Sequence, residues 1–309
     1  MVSFLKLIRY NNLLMIALMQ LFFRYGFLKY QNINLALNDW QYLLLILSTI
    51  SIAGAGYIIN NLMDQETDFI NKPSSIVIGT IISEKLGYNL YIILNVLGVG
   101  LGFYLSNIIG KPNFAVIFVL TAVSLYLYAT NFKQTLLIGN LLVSIITSLS
   151  ILIIGIFDLY PILTLANKEL ISIYFEIILD YSLFAFFINF IREIVKDLED
   201  INGDRILEMR TLPIVLGVNK TSKIVFVLSS VAVLLLLNYV HKYHFKNRLF
   251  LSTIYALIFL IAPLIYFSVN IFNAKTKINF HHLSIVLKFI MLFGILSVAA
   301  TTLNIMYNA

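Results

Sequence analysis

Nine apolar segments, each about as long as a bilayer is thick, follow one another along this chain. A membrane-spanning helix needs about 20 mostly apolar residues, and every one of the segments meets that requirement. Charged residues make up only 12% of the chain, whereas soluble domains carry about 25%. The chain is therefore predicted to be an integral membrane protein. We expect spans near 11–28, 41–60, 86–106, 113–130, 136–157, 171–190, 222–240, 250–271 and 282–305.

The spacing of the apolar segments predicts the fold class. No separate soluble domain or long linker fits between them. Backbone groups in lipid are satisfied only within helices or closed barrels, and the alternating pattern of barrel strands is absent. The sequence therefore predicts an all-α fold, a bundle of about nine transmembrane helices, in a single domain over residues 1–309. The first segment lacks a small-residue cleavage site, so we expect a retained span and not a cleaved signal peptide.

The basic residues indicate an orientation. With a cytoplasmic N-terminus, 13 of the 21 Lys and Arg residues lie on the cytoplasmic side, seven lie on the other side, and Lys288 lies within the last span. The positive-inside rule favours this arrangement in a cell membrane. The basic residues form no continuous stripe, so we expect no nucleic-acid partner. The absence of cysteine excludes disulfides, thiolate metal sites and cysteine nucleophiles.

The acidic residues are concentrated in two windows. Residues 64–68 and 193–208 hold nine of the 15 Asp and Glu residues, and both windows are predicted to be cytoplasmic. At about 100° per residue, the polar residues of each window fall within an arc of about 80° on a helix. The first stripe consists of Asn60, Asp64 and Asp68. The second consists of Asn189, Glu193, Asp197, Asp200 and Asp204.

Carboxylates stacked this closely repel one another unless a cation or hydrogen-bond donors lie between them. Mg²⁺ prefers oxygen ligands and typically uses one or two carboxylates together with substrate phosphates. Two such stripes facing each other could hold Mg²⁺ around one diphosphate, and we expect each acid on a helix face exposed to polar surroundings. Either window alone could be a solvated helix end. The presence of both, each after a span, favours a functional site.

Three motifs resemble signatures of the UbiA superfamily of intramembrane prenyltransferases. The first is Asn60-x-x-x-Asp64-x-x-x-Asp68, followed by Asn71-Lys72-Pro73. The second, REIVKDLEDINGDRILEMRTLP from residue 192 to 213, is most similar to the branch that makes digeranylgeranylglyceryl phosphate. The third is LYATNFKQTLLIGN, from residue 127 to 140. The resemblance extends over essentially the whole chain.

The resemblance implies Mg²⁺ as cofactor and a polyprenyl diphosphate as donor. The residues that it implies as ligands of the metal and the diphosphate are Asn60, Asp64, Asp68, Asp197, Asp200 and Asp204. Among these, the candidate catalytic residues are Asp64, Asp68, Asp197 and Asp200. Four cations, Lys72, Lys133, Arg192 and Lys196, could donate to the diphosphate oxygens, or serve only as interfacial anchors. Tyr128 could shield an allylic cation, or belong to the aromatic belt.

Two positions depart from the family pattern. Asn71-Lys72-Pro73 is not followed by the second Arg-Pro of the NRPxRP motif, which removes one expected diphosphate contact. Glu208 stands where relatives often have Gly before RTLP.

Elsewhere, the pair His281-His282 is expected to lie in a solvated loop before the last span.

Three functions are compatible with these features. The first is magnesium-dependent transfer of a polyprenyl group to the hydroxyl of a lipid acceptor resembling geranylgeranylglyceryl phosphate, with release of diphosphate. The second keeps the donor but prenylates an aromatic quinone precursor of the 4-hydroxybenzoate or dihydroxynaphthoate type. The third is a cation-coupled transporter, although transporters usually bind ions near the bilayer midplane and often contain internal repeats.

Overall fold

The computed structural model describes residues 2–31, 33–71, 73 and 76–308, with only the backbone for residues 2 and 308. Within this part of the chain, helices dominate and the only strand-like pairing is an isolated bridge between Ile78 and Ile82. Nine helical segments among the described residues are long and apolar enough to span a membrane, which confirms the predicted all-α membrane fold. They are Tyr10–Gln31, Asp39–Met63, Glu84–Ile108, Pro112–Thr130, Ile138–Ile162, Lys168–Ile206, Val218–Phe245, Phe250–Asn273 and Lys277–Tyr307.

The spans are built mostly from α-helices, with short tighter or wider turns at their ends or interiors. In chain order the α-helices are α1 (Val2–Leu7), α2 (Tyr10–Gly26), α3 (Asp39–Met63), α4 (Gln65–Asn71), α5 (Glu84–Ile108), α6 (Ala115–Thr130), α7 (Ile138–Ile154), α8 (Lys168–Ile206), α9 (Leu212–Leu216), α10 (Val218–Tyr239), α11 (Phe250–Ala256), α12 (Ala262–Asn273) and α13 (Lys277–Asn308). The π-helical turns are Gly155–Leu159, Val240–Phe245 and Leu257–Ile261.

Two helices extend well beyond the predicted spans. Helix α8 has 39 residues, or about 58 Å at 1.5 Å per residue, nearly twice the thickness of the hydrocarbon core. The apolar pattern ends near residue 190, but the Arg, Glu, Lys and Leu residues that follow are good helix formers and continue the helix. Helix α13 begins at Lys277, so His281 and His282 lie on a helix. The prediction of a loop at these two histidines is wrong.

The chain divides into two compact units. Unit 1 comprises Met1–Gln20 and Asn34–Leu179, and unit 2 comprises Leu21–Ile33 and Asp180–Ala309. The first acidic window belongs to unit 1 and the second belongs to unit 2. A single domain over residues 1–309 stays a prediction.

In unit 1, helix α5 packs against α3 and α6 through its own small residues. The Ser48 hydroxyl donates a 2.6 Å hydrogen bond to the carbonyl of Gly98. A Cβ at Gly98 would lie 2.6 Å from Ile52, and one at Gly102 would lie 2.3 Å from the Phe118 ring. Small residues allow membrane helices to approach closely, because lipid supplies no hydrophobic driving force between them.

In unit 2, polar side chains join the helices. The hydroxyl of Ser268 on α12 donates to that of Ser229 on α10 over 2.8 Å. Helix α13 accepts three bonds from α11, since the amide and the hydroxyl of Ser252 both donate to Asn304 Oδ1 and the Tyr255 hydroxyl donates to the Phe293 carbonyl. Such interhelical bonds contribute about 0.6 kcal/mol each on average. They fix the register of helices whose apolar surfaces alone would specify it weakly.

Helix α8 ends in a Schellman motif. The Met209 amide donates to the Asp204 carbonyl over 2.9 Å, and the Glu208 amide donates to the Arg205 carbonyl over 3.3 Å. Glu208 therefore occupies the left-handed position of the motif, with φ of 53°. Glycine is the usual residue there, because it has no Cβ to clash. This geometry accounts for the Gly that the resemblance of the second motif leads one to expect at this position.

We predict that Gly102→Ala lowers the free energy of unfolding by about 1–3 kcal/mol, as expected for overpacking against a buried ring. Gly100→Ala is the matched control, because it lies on the same helix with no atom within 4 Å of its added Cβ. Thermal unfolding of the two purified variants in one detergent tests the close packing of α5. Equal melting temperatures for the two variants would contradict it.

We also predict that Glu208→Gly stabilises the protein by about 1 kcal/mol, because glycine adopts the left-handed conformation of this position without the steric cost of a Cβ. Glu208→Ala removes the same charge but keeps the Cβ, so it should give no such gain. Thermal melting curves of both variants separate the backbone effect from the effect of charge. A stabilisation shared by both would assign the effect to charge instead.

Candidate active site

The first signature lies where α3 passes into α4, in unit 1. Helix α3 ends at Met63, Asp64 is its C-cap residue, and α4 begins at Gln65. The backbone amide of Asp64 still donates to the Asn60 carbonyl over 2.9 Å, and that of Asp68 donates to the Asp64 carbonyl over 2.8 Å. Helical hydrogen bonding thus continues across the break, so Asn60, Asp64 and Asp68 follow one another at helical spacing.

Asp64 is buried and receives two donors. It is 5% exposed, so the expectation of a face open to polar surroundings is wrong for this acid. The Asn60 amide donates to Asp64 Oδ2 over 2.6 Å. The Lys133 ammonium forms an ion pair with the same oxygen. A carboxylate buried at the end of a membrane helix needs such partners, because desolvation penalises its charge.

Two oxygens beside this ion pair lack donors. Asn60 Oδ1 is buried and has no hydrogen-bond partner. No described residue donates to Asp64 Oδ1 either, since both donors use Oδ2. Amide and carboxylate oxygens are ligands that Mg²⁺ accepts. The donor set of unit 1 therefore fits a hard divalent cation.

The third motif brings Lys133 to Asp64 from 69 residues away in sequence. Helix α6 ends at Thr130, and Lys133 lies in the 3-10 turn Phe132–Gln134. Tyr128 is half-buried on the last turn of α6. The predicted substrate residue Lys72 lies outside the described residues.

In unit 2, the second signature lies on the C-terminal part of α8. Glu193 is buried, and its Oε1 lies 2.6 Å from Lys196 Nζ and 3.5 Å from an Arg192 guanidinium nitrogen. Arg192 Nε is buried with no hydrogen-bond partner. The two predicted diphosphate cations of this signature therefore meet at one carboxylate, and Arg192 retains a donor for another acceptor.

The remaining acids of the second signature differ in their surroundings. Asp197 and Asp200 are half-buried on α8. Asp204 is buried, and its Oδ2 accepts a 3.1 Å hydrogen bond from the Thr211 hydroxyl. Thr211 belongs to the RTLP segment, so this contact joins the two ends of the second signature. Thr211 was not among the predicted site residues.

A further contact on α8 was also missed. His281 on α13 hydrogen-bonds through Nδ1 to Glu199 Oε1 over 3.0 Å. The side chain of Glu199 is only 7% exposed, while that of His281 is 61% exposed. At about 100° per residue, Glu199 lies on a different face of α8 from the acidic stripe. This position is the one sequence signal that Glu199 has a partner outside the stripe. His281 thus anchors the start of α13 to the back of the signature helix.

No three His, Asp or Glu side chains within the described ranges lie close enough to hold a metal ion by themselves. This agrees with the usual chemistry of Mg²⁺, which is seldom bound in all-protein cages and relies on substrate phosphates for several ligands. The protein oxygens of unit 1 would therefore form only part of a coordination shell.

Comparison with known proteins identifies the family. The model of the UbiA prenyltransferase family matches residues 29–285. Digeranylgeranylglyceryl phosphate synthase of Saccharolobus solfataricus is 35% identical over 226 residues, covering 73% of each chain. A solved structure of a digeranylgeranylglyceryl phosphate synthase in membranes shares the fold, with a TM-score of 0.63, 24% identity and coverage of 96% of this chain and 98% of that one. For a UbiA homolog from Archaeoglobus fulgidus bound to DMAPP and Mg²⁺, the TM-score is 0.57 at 16% identity, with 96% and 99% covered.

These matches confirm the family predicted from the three motifs and favour an enzyme over a transporter. The family model extends over most of the chain, and the nine apolar helices agree with an integral membrane fold. The chain is a multi-pass membrane prenyltransferase and belongs to the UbiA prenyltransferase family.

Proposed function

We propose that this chain transfers a polyprenyl group from a polyprenyl diphosphate to the hydroxyl of a glycerol-type lipid phosphate, releasing diphosphate, with Mg²⁺ as cofactor. The name of the Saccharolobus solfataricus relative supports this acceptor, as does the resemblance of the second signature to the same branch. Residues 1–309 would act as one catalytic domain.

The observation that carries the proposal is the meeting of Asn60, Asp64 and Lys133. Two separate motifs, each predicted from sequence to bind the donor, place these side chains in direct contact. An oxygen-rich group for a metal and a cation for phosphate oxygens thus lie side by side. Ionisation of an allylic diphosphate requires both kinds of group, because negative charge accumulates on the departing diphosphate.

Within this proposal, Mg²⁺ when bound neutralises the charge that develops on the leaving diphosphate. The protein residues that would hold it belong to both signatures: Asn60, Asp64, Asp68, Asp197, Asp200 and Asp204. The A. fulgidus homolog was solved with DMAPP and Mg²⁺, which supports the cofactor assignment. The unpaired Asn60 Oδ1 supports it from this chain's own chemistry.

The cations of the three motifs would bind the diphosphate oxygens. Lys133, Lys196 and Lys72 can each donate as a compact point charge, whereas Arg192 offers a planar fork of donors. Its buried, unpartnered Nε supports this role. Tyr128 would place its aromatic face towards the allylic cation, which is attracted to the ring quadrupole.

The acceptor carries its own phosphate and therefore needs further cations. Lys6 is exposed on α1, and the Arg9 guanidinium lies 5.2 Å from the centre of the Tyr57 ring. Tyr57 is one helical turn before Asn61, beside the first signature on α3. We propose Lys6 and Arg9 as ligands of the acceptor phosphate. The attacking hydroxyl must lose a proton, to a carboxylate or to the leaving diphosphate.

We predict that purified protein with Mg²⁺ and a series of prenyl diphosphates prenylates geranylgeranylglyceryl phosphate with higher kcat/KM than 4-hydroxybenzoate or dihydroxynaphthoate. Products are identified by mass. Asp64→Asn and Asp197→Asn should each lower turnover by about 100-fold or more, as typical for loss of a group that stabilises developing charge. Glu66→Gln is the matched control, because this exposed acid lies in the first window but outside the stripe.

Size-exclusion profiles establish that the variants remain folded, which matters most for the buried Asp64. Near-normal turnover of both Asn variants at saturating Mg²⁺ would overturn the metal assignment. A higher kcat/KM for an aromatic acid across several donor lengths would replace the lipid acceptor with the quinone-precursor alternative.

We also propose that the N-terminus and both signatures are cytoplasmic, on the basis of the positive-inside rule. Because the chain has no cysteine, single cysteines can be labelled without background. An impermeant maleimide should label Asn247→Cys in intact cells and Asn202→Cys only after permeabilisation. Both positions are exposed. The reverse pattern would invert the topology.

A further inference from the structure

Lys133 has a partner that its expected role does not explain. Its ammonium group binds Asp64 Oδ2, the oxygen that also accepts the Asn60 amide. The side chain of Asp64 is 7% exposed and that of Lys133 is 25% exposed, so water screens the pair only partly. We propose that Lys133 occupies the metal's place on Asp64 until Mg²⁺ and the donor diphosphate bind together. This inference rests on the proposed function.

The backbone around Lys133 is held firmly in position. Leu137, at the N-cap of α7, has φ of 60°, a conformation that costs energy for a residue with a Cβ. A Cβ at Gly139 would lie 2.7 Å from the carbonyl oxygen of Phe132 and 3.1 Å from the Cα of Lys133. Only glycine therefore lets α7 begin this close to the turn that carries Lys133. The turn is fixed, while the four-carbon side chain can still swing.

The charges at this point make separate binding of the two ligands unfavourable. Mg²⁺ arriving alone must displace Lys133 from Asp64, which leaves an ammonium group beside a dication. Like charges at such distances disfavour one another. Diphosphate arriving alone meets a lysine already engaged with a carboxylate.

Arrival of both ligands removes these penalties. Mg²⁺ takes the carboxylate, and the ammonium transfers to diphosphate oxygens in charge-assisted hydrogen bonds. Asp64 is neutralised throughout, so the buried carboxylate is never left without a partner. Lys133 thereby couples the affinity for Mg²⁺ to the affinity for the diphosphate. Such coupling is reciprocal, so each ligand raises the affinity for the other by the same factor.

The test measures binding without turnover. Thermal unfolding of the purified protein is followed in Mg²⁺ alone, in pyrophosphate alone and in both. In Lys133→Met, the apparent affinity for Mg²⁺ alone should rise by about fivefold or more, the lower range of coupling between sites. The affinity for pyrophosphate should fall, and the mutual enhancement of the two ligands should shrink. If Lys133 only anchored its turn, its replacement would not make Mg²⁺ bind more tightly.

Lys85→Met is the matched control, because it removes one exposed positive charge from the same unit. Its ligand affinities should match those of the wild type. If Lys133→Met fails to fold, Lys133→Gln keeps a hydrogen-bond donor for Asp64 without the charge, and Mg²⁺ alone should again bind more tightly.

Two results distinguish the claims. Unchanged or weaker Mg²⁺ binding in the folded Lys133 variants, with normal joint binding in the wild type, would overturn the inference and leave the proposed function intact. Failure of the wild type to bind Mg²⁺ together with pyrophosphate would remove the proposed function and the inference with it.

Discussion

A carboxylate buried in an apolar helical protein must be neutralised or hydrogen-bonded, and this constraint governs the polar residues of both units. Asp64 forms an ion pair with Lys133 and accepts a hydrogen bond from Asn60. Glu193 forms an ion pair with Lys196, and Asp204 accepts a hydrogen bond from Thr211. Each partner comes from the family motifs themselves. The motifs are thus sets of mutually compensating groups. Under the proposed function, a charged ligand would bind by exchanging partners with these groups, which avoids leaving a buried charge uncompensated.

The helices that carry these groups are held by packing that is independent of the acids. In unit 1, Gly98 and Gly102 bring α5 against α3 and α6 at distances that no larger residue allows. In unit 2, a 3.0 Å hydrogen bond between the hydroxyls of Tyr181 and Ser297 joins α8 to α13, and Ser252 with Asn304 joins α11 to α13. A rigid scaffold matters here because a displacement of about 1 Å at a catalytic group can cost 100-fold in rate.

The sequence predicted the fold well, because span length and helical spacing are local properties. The nine spans follow from apolar length alone, and the stripes of Asn60–Asp68 and Asn189–Asp204 follow from an interval of three or four residues. The burial of Asp64 could not be predicted, since it depends on Lys133, distant in sequence. The contact of Glu199 with His281 could not be predicted either, because the two residues are 82 positions apart in the sequence. The two histidines were predicted to lie in a loop, but they lie on α13. The predicted end of the sixth span was also wrong for the helix, because charged residues with high helix propensity continue α8 beyond its apolar part.

The length of α8 suggests why this chemistry is built on membrane helices. The proposed donor has a charged diphosphate and an apolar tail, and α8 has a corresponding division. Its first part is apolar enough to cross the bilayer, and its last part carries Glu193, Asp197, Asp200 and Asp204 in the same unbroken helix. The charged residues therefore continue directly from the apolar part of the same helix. The Schellman turn at Glu208 then redirects the chain so that Thr211 reaches back to Asp204, which ends the charged part with its last acid already paired.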